Sequence, residues 1–133
     1  EAKSLKEAIY SAELSDAELR SSNLRSANLS GAKLISVNLY EADLRSSNLT
    51  GAKLYEADLR SSNLSGAKLY EADLSGADLS GVNLSSSDLS SSDLSGAKLT
   101  GVNLSGADLT GAKIGITQKE DLLQALHIEI KAA

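Results

Sequence analysis

The chain predicts an all-β solenoid, and three observations predict it. Every fifth residue from Ile9 to Ile114 is Leu or Ile, with no slip in register. From Leu14 onward the residue two before each of these is small and the one between is polar, and nine of the ten glycines fall two residues after. Neither a helix of 3.6 residues per turn nor a two-residue strand alternation carries a strict period of five, so the pentapeptide itself is the structural unit.

Each unit reads small, polar, large, as in Ala52-Lys53-Leu54, the in-out-in pattern of a very short strand. With the large residue numbered i, positions i−2 and i point inward, i−1 points outward, and i+1 and i+2 make a corner. Gly31, Gly51, Gly66, Gly76, Gly81, Gly96, Gly101, Gly106 and Gly111 occupy i+2, where a type II turn requires positive φ. Corners with Ser46, Glu56 or Ser61 at i+2 are expected to use another turn type. Four sides and four corners close a coil, so residue n lies over residue n+20 at roughly 4.7–4.9 Å. The interior becomes columns of leucine, one of them Leu14, Leu34, Leu54, Leu74 and Leu94 with Ile114. Burying each Leu contributes roughly 1.5–3 kcal/mol, which makes a sizeable core despite the narrow section. Ser22, Ser47, Ser62, Ser87 and Ser92 replace Ala at i−2, and the simplest partner for each buried hydroxyl is a carbonyl of an adjacent coil.

Both ends change character, as expected for an open solenoid that must cover its last apolar layer. Thr117-Gln118-Lys119-Glu120 has the form of a helix capping box and precedes Leu122, Leu123 and Leu126, predicting a short α-helical cap over 118–127. His127-Ile128-Glu129-Ile130 then alternates, as a turn or short strand. Ser4-Leu5-Lys6-Glu7 has the same capping form, giving a short helix before the repeat. The division is therefore an N-terminal cap at 1–8, a repeat body at 9–114 and a C-terminal cap at 115–133.

Composition narrows the chemistry. The chain of 133 residues has no Cys, which removes disulfides, thiolate metal ligands and a thiol nucleophile. No run has the apolar length of a membrane span, and the first residues do not begin a secretory signal.

The A-[DN]-L-x-x units over residues 8–114 resemble the pentapeptide-repeat family. The resemblance implies a right-handed quadrilateral β-helix, with four pentapeptides per coil and about five coils; it adds lumenal or periplasmic residence to the cytoplasmic one expected of a soluble chain, and the sequence does not choose among them. Unlike many members the chain has no Phe at any central position, so a uniform bore is expected. Residues 40–54 and 55–69 differ only at Thr50 and Ser65. Fifteen residues make three sides, so these near-copies step around the coil and place Tyr40, Tyr55 and Tyr70 on different faces.

No set of groups converges for catalysis, and no metal or cofactor site is read from the sequence. His127 stands alone in the cap region, and the serines follow repeat grammar. Asn-Leu-Ser is likewise what the repeat spells, so glycosylation is not implied. Charge is more informative. Residues 10–69 carry seven acidic and seven basic side chains, and residues 70–113 carry six and two. Stacking at twenty residues sets Asp58 over Asp78, Asp73 over Asp93 and Asp88 over Asp108, and it aligns Arg20, Tyr40 and Arg60 for cation–π contact. These residues form the candidate interaction surface.

The expected function is that of a non-enzymatic, monomeric scaffold acting on a protein partner, with neither direct nucleic-acid binding nor membrane insertion. The alternative, implied by relatives that bind DNA gyrase, is a DNA-mimic inhibitor or protector of a type II topoisomerase. Duplex DNA carries one charge per roughly 1.7 Å. A net charge of −5 over a body of roughly 25 Å is about threefold sparser.

Overall fold

The computed structural model describes residues 13–127. The N-terminal cap at 1–8, Ile9 and the alternating segment at 128–130 lie outside the described residues. Parallel bridges join each residue at i−1 to the one twenty further on, from Glu13 with Lys33 to Asp93 with Lys113. Twenty residues therefore make one coil. A side is so short that its pairing is a single bridge, and no longer strand occurs among the described residues.

Four kinds of backbone bond recur around each coil. Leu14 N–H donates to Lys33 O at 2.8 Å, Asp16 N–H to Ile35 O at 2.8 Å, and Asn38 N–H back to Ala17 O at 2.9 Å. Within the corner, Ala17 N–H donates to Leu14 O at 3.1 Å. Bonds between coils thus point both ways, and the corner bond turns the chain toward the next side.

Every i+2 residue from Asp16 to Gly111 has positive φ, whether or not it is glycine. Gly51 sits at 68°, but Ser46, Glu56 and Ser61 sit at 58°, 56° and 59°. Serine and glutamate at i+2 therefore take the left-handed conformation that the sequence associates with glycine, at φ values about 10° smaller. The corner must deliver both its own N–H and the following i−2 N–H to fixed acceptors. Ser46 N–H meets Ser65 O at 3.0 Å while Ser47 N–H meets Leu44 O at 3.1 Å. Only the left-handed conformation serves both, and the ladder offsets a local steric cost on the order of 1 kcal/mol per non-glycine corner.

The leucines from Leu24 to Leu104 and the small residues at i−2 line one continuous dry interior, with Leu54 fully buried. Leu14 is only partly buried, and Ile114 is 43% exposed rather than part of the core. Among the described residues no further coil follows Ile114 to cover it. The buried serines also depart from expectation: Ser62, Ser87 and Ser92 donate to Leu59 O, Leu84 O and Leu89 O at 2.6, 2.6 and 2.7 Å. These acceptors lie three residues earlier in the same corner, because the short Ser side chain reaches the carbonyl its own N–H already faces. Ser47, fully buried, has a hydroxyl with no partner.

A 3-10 turn, Ile116–Gln118, leads into helix α1, Lys119–Ala125, shorter than the 118–127 expected. The anticipated Thr117–Glu120 box makes no side-chain cap bond. Gln118 acts instead. Its Nε2 donates to Leu94 O at 2.6 Å and Ala97 O at 2.8 Å, and its Oε1 accepts from Gly115 N–H at 2.5 Å. In a continuing coil the residue at 118 would reach Ala97 O through its backbone N–H, by the same offset that joins Asn38 to Ala17. The side-chain amide stands in for that missing bond. Ala125 is buried, and Leu122 and Leu126 pack against the end of the core.

Replacing Ser47 by Ala removes an unpartnered buried hydroxyl, so it should stabilise the protein by about 1 kcal/mol and raise the melting temperature by a few degrees. Ser62→Ala, which loses a formed bond, should gain nothing. Thermal denaturation of the two variants checks the contrast, and equal shifts would contradict it.

Candidate functional site

Each side of the coil shows one i−1 side chain and two corner side chains to the outside, so candidate sites are columns along the coil axis. At i−1 the predominance of Asn and Asp has a local cause. The ladder uses the N–H of positions i−2, i−1, i and i+2 and leaves that of i+1 over. The Asx side chain accepts it: Asn63 Oδ1 from Ser65 N–H at 3.1 Å, Asp73 Oδ1 from Ser75 N–H at 3.0 Å, Asp108 Oδ1 from Thr110 N–H at 3.0 Å. Many i+1 hydroxyls join the same oxygen, as Ser80 does with Asp78 and Ser90 with Asp88 at 2.6 and 2.5 Å. The outward carboxylates and amides therefore have a structural duty that sequence reasoning missed, although the pairing of D/N at i−1 with S/T at i+1 signals it.

The sequence-predicted acidic residues fall into place as bridge partners: Asp58 with Asp78, Asp73 with Asp93, Asp88 with Asp108. They do not form an unbroken anionic ridge. Each pair abuts a lysine in its own column, through Lys53 with Asp73, Asp93 with Lys113, Asp78 with Lys98 and Lys68 with Asp88. Asp58 is further engaged by Arg60, whose Nε and Nη2 donate to its two oxygens at 2.8 and 2.7 Å. Hydrogen bonds from Ser95 and from Thr110 hold Asp93 and Asp108 below the usual carboxylate range, so both stay charged.

The aromatic column forms as expected. The guanidinium carbons of Arg20 and Arg60 lie 5.3 and 5.2 Å from the centroid of the Tyr40 ring. One tyrosine is thus shared by the coils before and after it, each contact contributing roughly 0.5–1 kcal/mol at an exposed site. Tyr55 and Tyr70 lie on other corners and are 44% and 42% exposed. A fourth arrangement was not foreseen. Arg45 grips Asp43 through Nε to Oδ1 at 2.8 Å and Nη2 to Oδ2 at 2.6 Å, on the face next to the Arg20–Tyr40–Arg60 corner. The pair joins residues two apart across one corner, so the twenty-residue register does not reveal it.

Among the described residues no group of His, Asp or Glu is arranged to hold a metal ion, and no helix is long and apolar enough to cross a membrane. The geometry supports recognition on outer faces.

The hydrogen bond from the Arg45 side chain, above all, holds the Asp43 carboxyl at about 2. Its unfolded value is about 3.9, so the pair contributes stability that is complete above about pH 4 and is lost as pH falls toward 2. Exposure limits that contribution to under about 1 kcal/mol. Carboxyl NMR titration should find the Asp43 midpoint near 2 and move it upward in Arg45→Gln. An unshifted midpoint in that variant would remove the pair from the account.

The family described as pentapeptide repeats matches residues 12–51, 44–81 and 77–114, with 8 copies. Among solved structures, a pentapeptide repeat protein (Rfr23) from the cyanobacterium Cyanothece 51142 superposes with a TM-score of 0.79 at 31% identity, covering 80% of this chain and 86% of that one. A pentapeptide repeat protein from the Arabidopsis thaliana thylakoid lumen gives a TM-score of 0.46 at 26% identity, covering 90% and 80%. QnrB1, a plasmid-mediated fluoroquinolone resistance protein, gives 0.38 at 19% identity, covering 93% and 92%. No curated protein matches. With its twenty-residue coils, its leucine interior and the family pattern repeated from residue 12 to residue 114, the chain belongs to the pentapeptide-repeat family.

Proposed function

We propose that this protein is a non-enzymatic interaction scaffold, a right-handed quadrilateral β-helix that binds a protein partner through its outer faces. The observation that carries this reading is the filled bore. Leucine and small residues occupy the whole interior from Leu24 to Leu104, so no internal cavity is left to gather reacting groups, and chemistry is confined to single side chains presented at regular intervals. Such a surface suits recognition of an extended partner, since side chains recur at strand spacing along four separate faces.

The acidic half is the observation that favours mimicry of DNA, and its magnitudes argue against it. Residues 70–113 have six acids and two bases, a net of −4 from six minus two, over roughly 10 Å of axis. That stretch is less than about a third of a DNA turn, and lysines interrupt each acidic column. Moreover one oxygen of Asp73, Asp78, Asp88, Asp93 and Asp108 is occupied by the corner, which leaves less of each carboxylate to imitate a phosphate.

A gyrase supercoiling assay separates the readings. The protein should leave supercoiling unchanged into the high micromolar range. Half-maximal inhibition or protection at low micromolar concentration would transfer the assignment to the DNA mimic.

A further inference from the structure

Arginine and lysine are not distributed alike on this scaffold. The chain has four arginines, Arg20, Arg25, Arg45 and Arg60, and all four sit at i+1 corners. Reduced by twenty-residue coils, Arg20 and Arg60 border one edge of a single face and Arg25 and Arg45 border its other edge. The column between them is Asn23, Asp43 and Asn63, joined by bridges. Lys33, Lys53, Lys68, Lys98 and Lys113 instead occupy i−1 on the other three faces. Repeat grammar does not demand this, because i+1 elsewhere accepts Ser, Thr, Tyr or, at Ile35, Ile.

The framed face is rich in donors, and its acceptors are largely consumed. Asn23 Oδ1 and Asn63 Oδ1 accept from the Arg25 and Ser65 N–H at 3.2 and 3.1 Å, which turns their amide donors to the outside. The Asp43 carboxylate is spent on Arg45, and Asp58, on the neighbouring face, is spent on Arg60. A two-point clamp leaves the remaining guanidinium N–H groups unused. Stacking on Tyr40 fixes Arg20 and Arg60, and the clamps fix Arg45 and Arg60, so three of the four guanidinium groups are oriented before any partner arrives. Arg25 has no side-chain hydrogen bond or ion pair among the described residues. Glu41, at the Tyr40 corner, is the acidic group on this strip with no such engagement.

We propose that this arginine-framed face binds a short acidic peptide segment of a partner protein in extended conformation, its carboxylates received by Arg20, Arg25, Arg45 and Arg60. Preorganised guanidinium groups match carboxylates, which they can bind through two parallel hydrogen bonds. The length decides between a peptide and a nucleic acid. From Arg20 to Arg60 is two coils, roughly 10 Å, the reach of about three extended residues. Beyond it the column continues as uncharged Asn83 and Asn103, and on the adjoining faces Asp78 is bridged to Lys98 and the Asp88–Asp108 pair to Lys68. A long polyanion would run from the arginines onto surface with no net positive charge, since Lys98 offsets only Asp78 and Lys68 only one of Asp88 and Asp108, whereas a short acidic segment ends where the arginines end.

The inference deepens the scaffold reading and rests on it. The test is fluorescence anisotropy of labelled hexaglutamate at about 0.1 M salt, with a short single-stranded oligothymidylate as competitor probe. Hexaglutamate should bind saturably, weaken as salt rises, and lose at least about tenfold in affinity in Arg20→Gln/Arg25→Gln. Arg25→Gln alone, which loses no side-chain hydrogen bond or ion pair and only a weak Coulombic attraction to Asp43, should weaken binding with a melting temperature within about 1 °C of the parent. Lys68→Gln/Lys98→Gln, on other faces, should bind as the parent does. Absence of saturable binding, equal binding by the arginine variants, equal loss in the lysine variant, or tighter binding of the oligothymidylate would each overturn the proposal. None of these results bears on supercoiling, so the scaffold reading stands or falls separately.

Discussion

A side of three residues can join the next only if the last corner residue takes a left-handed backbone, and the rest of the molecule depends on that constraint. From Asp16 to Gly111 each fifth residue meets it. The turn aims one N–H at the neighbouring coil and the next N–H at the preceding Leu carbonyl, so backbone pairing propagates in both directions from every corner. Glycine meets the requirement without steric cost, yet serine, glutamate and aspartate hold it as well. The ladder as a whole outweighs the local preference of any one residue.

Backbone satisfaction then explains much of the outer surface. In the inner units, from Leu39 to Leu89, four of the five N–H groups are taken by the coil, and the fifth is taken by Asn or Asp where one is present. Outward carboxylates and amides are consequently not free ornaments on which any partner could act. At the C-terminal end, where the next coil is missing, Gln118 supplies a donor to Ala97 O and an acceptor to Gly115 N–H from a single 5% exposed side chain. Substitution of a side-chain amide for a peptide group ends the ladder there without leaving Ala97 O unpaired.

The five-residue beat made the inward leucines, the positions of the corners and the columns at twenty residues legible, because each follows from counting alone. Left-handed serine and glutamate corners were not legible, since local propensity points away from them and the cooperative ladder prevails. The exposure of Ile114 was hidden for a related reason: it keeps the beat, but burial requires a neighbour on both sides. Of the candidate surface, the Arg20–Tyr40–Arg60 stack followed from register. The Arg45–Asp43 and Arg60–Asp58 clamps did not, because residues two apart meet only when the corner folds one back over the other. The acidic columns looked continuous in sequence until the lysines in the same columns were placed beside them.

Recognition by this scaffold is therefore a matter of which side chains decorate a frame whose interior is already settled. The central claim is the strict division between inward i and outward i−1, and neighbouring residues test it most directly. Leu54 is fully buried and Lys53 is exposed. Thermal unfolding of Leu54→Lys and Lys53→Leu should give opposite outcomes. The first places a charge in the dry bore and abolishes the cooperative transition, and the second melts within about 3 °C of the parent. A Leu54→Lys protein that kept the parental melting temperature would contradict the inward assignment and the coil built on it.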